Sequence, residues 1–257
     1  MEHPQVLIDR AGCIGCGLCS RACVAHNIKM IDKKANAVLS SCLLCGQCQA
    51  VCPQKAISMT GYEDDPIEKK GEHRLDPDQV LEVIRFRRSV RRFQPTPIPQ
   101  EVIGQILEAG RLTHTAKNRQ DVSFAVLDQE KDRIEKMAVK LFRAVRPVAA
   151  LFSPMAKNRE IDDHFFFFSA PLALVILAED KTNGLLAAQN MEFVAEAHGL
   201  GVLYSGFFTA AANASPKIKK AIGVPKGKRV AMTLVLGYPD IRFLRSTPHK
   251  KLDVRSL

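Results

Sequence analysis

The chain has 257 residues, no tryptophan, three tyrosines, 25% charged residues and a formal net charge of +10. No window reaches the roughly 18–20 unbroken apolar residues of a membrane helix. The longest candidate, Phe165–Ala178, is interrupted by Ser169 and Pro171 and reads better as a buried strand with its approach. Basic and aromatic residues are not interleaved, so neither nucleic acid nor membrane is expected as a partner.

In chain order the first signal is cysteine. All eight lie between residues 13 and 52. Cys13, Cys16, Cys19 and Cys23 give C-x₂-C-x₂-C-x₃-C, and Cys42, Cys45, Cys48 and Cys52 repeat it 29 positions later. Gly17 answers to Gly46, Ile28 to Ile57 and Met30 to Met59, which marks an internal duplication. Three closely spaced thiolates suit three irons of a [4Fe–4S] cubane, with the fourth ligand coming from elsewhere. Zinc sites favour separated C-x₂₋₄-C pairs. Disulfides suit secreted domains, and Met1–Arg10 has no apolar stretch of signal-peptide length. The protein is therefore expected in a reducing cytoplasm.

Residues 5–60 resemble the two-cluster bacterial ferredoxins. The resemblance implies two [4Fe–4S] clusters with exchanged fourth ligands: Cys13, Cys16 and Cys19 with Cys52, and Cys42, Cys45 and Cys48 with Cys23. Pro53 follows Cys52 as in that family, whereas Val24 follows Cys23. Two oxidised clusters remove about four units of positive charge and a bound phosphate up to about two more, so the high formal charge is no argument for a polyanionic partner.

Gly61–Pro77 is charged, contains two prolines and lacks an apolar period, as a linker does. The expected organisation is a ferredoxin domain over 1–60, a linker over 61–75 and a second domain over 76–257. In that domain Asp76-Pro77 starts a helix toward Arg87 with an apolar face of Val80, Leu81 and Ile84. A second helix is expected over Pro99–Leu112, a strand over Val122–Leu127 and a helix over Glu130–Arg143. Ala144–Asp163 has no clear period. A buried strand follows at Leu172–Leu177, then a helix over Asn183–His198 closed by Gly199. Strands at Gly201–Phe208 and Arg229–Leu236 precede an extended tail, Ile241–Leu257.

Arg85, Arg87, Arg88, Arg91 and Arg92 surround Ser89. Such a cluster is either a solvated helix end or a site for a dianion, since guanidinium groups and a hydroxyl hold phosphate. Residues 76–257 resemble the nitroreductase family of FMN-dependent oxidoreductases. Arg87–Phe93 is similar to the family's R-x-S-x-[RK]-x-F segment, which implies that Arg87, Arg88, Ser89 and Arg91 bind FMN. Thr113–Gln120 resembles the loop that reaches FMN from the other subunit of a dimer, with Thr115 and Asn118 as its hydroxyl and amide. Gly199-Leu200-Gly201 followed by Leu203-Tyr204-Ser205-Gly206 resembles the turn over the flavin, where the N–H of Ser205 or Gly206 would face the ring. Gly237-Tyr238-Pro239 with a later basic pair resembles the end of the family pattern. That pair is His249 and Lys250, the histidine replacing the family's arginine. Gln120-Asp121-Val122 replaces the family's Q-P-W.

The resemblance implies an α+β fold: a helix-flanked mixed β-sheet with FMN at a homodimer interface, preceded by a small ferredoxin-like module. It implies an oxidoreductase that passes electrons from ferredoxin or NAD(P)H through the clusters and FMN to a small acceptor such as a nitroaromatic, quinone or enone. Chemistry centred on the flavin needs no catalytic side chain of its own, and no serine–histidine–acid or paired-carboxylate pattern is present. Other reductions such as dehalogenation, or a non-catalytic electron carrier or redox sensor, fit the same motifs. His114 and His164 are pocket candidates, and Phe165–Phe168 is assigned to the hydrophobic core.

Overall fold

The 29-residue repeat of the sequence is also a repeat of the backbone. The structure, a computed structural model, describes residues 5–38, 42–152 and 154–256; the outermost residues of the two expected domains, 1–4 and 257, lie outside them. The chain divides into two compact units, Met1–Arg74 with Thr115–Arg119, and Leu75–His114 with Gln120–Leu257.

The first unit contains β1 (Val6–Ile8), α1 (Leu18–Ala22), β2 (Ile28–Ile31), β3 (Lys34–Ala37), α2 (Gln47–Ala50) and β4 (Ile57–Met59). Each half is strand, helix, strand. The outer strands pair antiparallel with Val6 opposite Met59, and the inner ones with Ile28 opposite Ala37. Val6, Cys19, Ile28, Ala35 and Ile57 form the small core. Such short strands bury little apolar surface on their own.

The second unit contains α3 (Pro77–Phe86), α4 (Gln100–Arg111), β5 (Ser123–Leu127), α5 (Lys131–Phe152), α6 (Pro154–Asn158), β6 (Leu172–Ala178), α7 (Lys181–Ala197), β7 (Gly201–Tyr204), α8 (Gly206–Ala214), α9 (Pro216–Ile222) and β8 (Arg229–Gly237). The sheet order is β5-β6-β8-β7 and its strand pairs are antiparallel. Its parallel component is the bridge between Ser89 and Val202. All seven residues of β6 are buried, because alternate side chains point to opposite faces and both faces are covered. Leu172, Leu174 and Ile176 pack with Ile103, Ile106, Ala187 and Met191 of α4 and α7. Ala173 and Val175 pack with Ile134, Ala138, Phe208 and Ile218 of α5, α8 and α9.

Asp76 caps α3 by accepting from Gln79 N at 2.8 Å, with Pro77 in the first turn. The apolar face expected on that helix is not buried: α3 has no buried residue, and Leu81 and Ile84 are exposed. Helix α5 runs nine residues beyond the expected Arg143. Val145, Val148, Leu151 and Phe152 of that extension stay exposed, and Pro147 interrupts the helical pattern there. The strand expected over Gly201–Phe208 stops at Tyr204, and Gly206 opens α8. Helix α9 starts at Ser215, whose Oγ accepts from Ile218 N, and ends at Gly223 with φ 76°. The tail is exposed over 241–256, without helix or strand. Among the described residues no helix is long and apolar enough to cross a membrane.

Candidate functional site

In the first unit the cysteines surround two cavities. One is lined by Cys23, Cys42, Cys45 and Cys48 with Val6, Asn27 and Ile28. The other is lined by Cys13, Cys16, Cys19 and Cys52 with Ile8, Ala56 and Ile57. Among the described residues no three metal-ligating side chains converge on a single-ion site, whereas a cubane requires its thiolates to be spread around a larger volume. Asn27 N donates to Cys23 Sγ at 3.2 Å and Leu44 N to Cys42 Sγ at 3.4 Å, the kind of N–H···S contact that tunes clusters. Backbone N–H groups of Ala35 and Gly15 hold the Cys13 thiol below its ordinary pKa. Burial pushes the Cys19 and Cys48 thiols up. Asn27 Nδ2 is buried at the first cavity without a hydrogen-bond partner among the described residues. Sulfur ligands on one side and an unused donor on the other fit an iron–sulfur cofactor.

Asn118 and Thr115 also belong to the first unit. Asn118 Nδ2 donates to Leu44 O at 2.8 Å and Asn118 N to Thr115 O at 3.0 Å. Lys117, Asn118 and Gln120 all have positive φ, between 48° and 56°, an uncommon run for residues with a Cβ.

In the second unit, residues 89–94 run beside the ends of β7 and β8. Val90 N donates to Val202 O at 3.0 Å, Gln94 N to Tyr238 O at 2.8 Å and Asp240 N to Arg92 O at 2.9 Å. Gly201 permits this approach, since a Cβ there would lie 2.6 Å from Val90 Cγ2. Residues 89–94 are thereby fixed against the sheet edge, whereas Arg85 stands exposed in the last turn of α3.

The arginines then separate by environment. Arg87 Nη1 lies 2.8 Å from Glu192 Oε2, a close ion pair that is poorly aligned as a hydrogen bond. Its guanidinium lies 5.1 Å from the Phe193 ring centroid. Glu192 Oε2 also accepts from Tyr204 Oη at 2.8 Å and Gln189 Nε2 at 3.0 Å. Burial first, and then the Glu192 charge, push the Tyr204 phenol upward, so it stays a donor. Arg88 Nη1 donates to Arg87 O at 2.6 Å. Arg88 Nε and Nη2 are buried with no hydrogen-bond partner among the described residues. Two unpaired donors of a guanidinium are costly to bury, and an oxygen acceptor such as that of a phosphate or a carbonyl would satisfy them.

Arg91 lines a cleft with Leu203, Tyr204, Ser205, Gly206, Phe207, Phe165, Phe168 and Arg159. The cleft opens to solvent. The structure thus gathers Arg91 with Leu203–Gly206. Ser205, however, has no free donor: its N–H goes to Thr233 O at 2.9 Å and its Oγ to Phe166 O at 3.0 Å. Gly206, at the first turn of α8, keeps the N–H that a helix leaves unused, with open space where a Cβ would be. Phe165–Phe168 divides its roles. Phe165, Phe166 and Phe167 belong to the core and Phe168 packs against it, while Phe165 and Phe168 also line the cleft. His249 and Lys250 lie in the exposed tail and His114 is exposed; His164 Nδ1 is 3.7 Å from Glu135 Oε2. None of these four is among the residues lining the cleft.

A family model described as the nitroreductase family matches residues 84–238. The chain belongs to the nitroreductase family. A second model, a 4Fe-4S dicluster domain, matches residues 5–71, so this nitroreductase-family oxidoreductase carries an iron–sulfur domain. A putative NADH dehydrogenase/NAD(P)H nitroreductase of Methanothermobacter thermautotrophicus is 25% identical over 169 residues, covering 62% of this chain and 77% of that protein. One component of an ion-translocating oxidoreductase complex from Methanosarcina acetivorans is 44% identical over 52 residues, 20% of each chain. Among solved structures, a nitroreductase with bound FMN from Bacteroides fragilis superposes with a TM-score of 0.58 at 20% identity, over 70% of this chain and 98% of that one; this likeness shows the fold.

Sequence reasoning gave no role to Glu192, Glu135 or Asp121. Glu135 Oε1 accepts from Phe166 N at 3.0 Å and Phe167 N at 2.6 Å, bracing the turn that carries the cleft phenylalanines. Asp121 Oδ2 accepts from Glu179 N and Asp180 N, each at 3.0 Å, and its Oδ1 from Asn183 Nδ2 at 2.7 Å. Burial favours a neutral Asp121, but these hydrogen bonds outweigh it and lower its pKa. No short motif announces such long-range carboxylate contacts.

Proposed function

We propose that the protein carries electrons from a low-potential donor through two [4Fe–4S] clusters to FMN and on to a small organic acceptor of the nitroaromatic, quinone or enone type. The observation that carries this reading is the sorting of eight cysteines into two sets of four around two cavities, in a nitroreductase-family chain. When bound, FMN exchanges electrons singly or in pairs, which links one-electron iron–sulfur chemistry to two-electron reduction of the acceptor.

The chain's own residues supply binding and orientation. Arg88 offers two buried donors to the anionic or carbonyl edge of the cofactor. Arg91 adds charge at the cleft, and the N–H of Gly206 takes the donor role that Ser205 cannot fill. Phe165, Phe168 and Phe207 exclude water from one side. Arg87, Ser89, Thr115, Asn118, Leu203, Tyr204, His249 and Lys250 complete the proposed cofactor set. The last two require the exposed tail to close on the phosphate. A homodimer is proposed as the working form, since the uncovered apolar residues of α3 and late α5 supply surface for a second subunit. The donor is ferredoxin or NAD(P)H, and the compartment is one reducing enough to preserve thiolate ligands.

Stopped-flow absorbance of the flavin tests the relay. Reduced ferredoxin at limiting concentration should reduce FMN at least about tenfold more slowly when Cys13, Cys16 and Cys19 are replaced by Ala, with FMN content unchanged. Equal rates in the two proteins would refute a path through the clusters.

A further inference from the structure

The duplicated halves of the first unit give an internal control, because their backbones match at equivalent positions. Gly17 and Gly46 have φ of 71° and 72°, and His26 and Lys55 have φ of 53° and 52°. Val38 N donates to Asn27 O at 2.7 Å, as Asp9 N does to Ala56 O at 2.8 Å. His26 N donates to Cys23 O at 3.0 Å, as Lys55 N does to Cys52 O at 3.2 Å. On this constant frame Asn27 and Ala56 are the same position, 29 residues apart, each directly before a buried isoleucine. Both are buried, at 5% and 6% exposure. Each lines the cavity of its own cysteine set, Asn27 with Cys23, Cys42, Cys45 and Cys48, Ala56 with Cys13, Cys16, Cys19 and Cys52.

One half therefore presents a methyl group where the other presents a carboxamide. Asn27 Nδ2 has no hydrogen-bond partner among the described residues and no solvent. A buried amide donor is disfavoured where a methyl would serve, unless an acceptor arrives. The remaining lining is cysteine and largely apolar, so the acceptor that fits is a sulfur of the cofactor. Donation to cluster sulfur stabilises the more negative, reduced state and raises the reduction potential.

We propose that Asn27 is a positioning residue that makes the two cluster sites unequal: its side-chain N–H raises the potential at the site of Cys23, Cys42, Cys45 and Cys48 above that at the site of Cys13, Cys16, Cys19 and Cys52. The inference rests on the two-cluster reading. Its consequence is a directed step. With both clusters bound, one electron would pass from the cluster held by Cys13, Cys16, Cys19 and Cys52, oxidising its iron, to the cluster held by Cys23, Cys42, Cys45 and Cys48, reducing its iron, with no proton moved and no bond broken.

EPR-monitored potentiometric titration of the anaerobic holoprotein tests it, with iron content measured on the same samples. Asn27→Ala should lower one of the two potentials, shifting its reduction equilibrium constant by roughly tenfold, or about 59 mV for a one-electron couple. The other potential should not move. The equivalent backbone already carries alanine at 56, so this variant is compatible with the fold. The reciprocal Ala56→Asn should raise the other potential and narrow the gap. Asn27→Ala leaving both constants within about a factor of two, or shifting both equally, would overturn the proposal. Four irons or fewer per chain would instead overturn the two-cluster reading, and the inference with it.

Discussion

Arg87 and Glu192 form a largely buried ion pair, with Nη1 and Oε2 2.8 Å apart and side chains 19% and 8% exposed. Glu192 also anchors Tyr204 of the cleft, so one carboxylate braces the basic segment and the end of β7. This relationship changes what an Arg87 variant reports. Arg87→Ala alone strands a buried carboxylate, a loss on the order of 3 kcal/mol, besides any lost cofactor contact.

The double variant Arg87→Ala/Glu192→Ala separates the two effects. Much of the stability lost in Arg87→Ala should return when Glu192 is also removed, read by thermal unfolding of FMN-free protein. FMN affinity should stay about ten- to a hundredfold weaker, the scale of one charge-assisted phosphate contact. Recovery of full affinity in the double variant would show that Arg87 acts through packing alone.

Arg88 should behave in the opposite way. Its Nε and Nη2 are buried without hydrogen-bond partners among the described residues, so Arg88→Met removes a desolvated charge and should leave the FMN-free protein as stable or up to about 2 kcal/mol more stable. The same change should weaken FMN binding at least about tenfold, read by fluorescence titration. Unchanged FMN affinity would exclude Arg88 from the site.

Residue patterns near each other in sequence were legible, and contacts across the fold were not. The duplicated cysteines, Asp76-Pro77 and the buried run of β6 each carry a local signal, and the structure has the corresponding elements. Ser215-Pro216 followed by Gly223 carries the same punctuation for α9 and could have been read. Helix α5 outran its pattern because exposed Val148, Leu151 and Phe152 leave no buried period to detect. Glu192 meets Arg87 from 105 positions away, and nothing in an alanine-rich helix singles it out. The Ser205 N–H fits a flavin donor by motif alone, but its bond to Thr233 O commits it to the sheet.

Asp121 gives a pH dependence. Its pKa is lowered in the folded state, because hydrogen bonds from Asp180 N, Asn183 Nδ2 and Glu179 N outweigh its burial. A depressed folded pKa contributes stability above the unfolded value, about 3.9 for aspartate, and that stability is lost as pH falls through the folded pKa. Asp121→Asn should cost about 1–3 kcal/mol at pH 7. The gap between wild type and variant, from urea unfolding, should narrow as pH falls below about 4. A gap of constant size would mean that the charge of Asp121 contributes nothing.

The exchange of fourth ligands makes the sharpest prediction for the cysteines. Cys23 is adjacent in sequence to the Cys13, Cys16 and Cys19 run, yet it lines the cavity of Cys42, Cys45 and Cys48, while Cys52 lines that of Cys13, Cys16 and Cys19. A ligand's loss should follow the cavity and not the sequence. In anaerobically reconstituted protein, wild type should hold about eight irons. Cys23→Ala should disturb the cluster that Asn27 adjoins, and Cys52→Ala the one beside Ala56. Each single variant should convert one cluster to a three-iron form or lose it, visible by EPR, while the other keeps its potential. The Asn27→Ala shift supplies the label: combined with Cys52→Ala it should still be seen on the surviving cluster, and combined with Cys23→Ala it should disappear. The reverse pairing would show that each run ligates its own cluster.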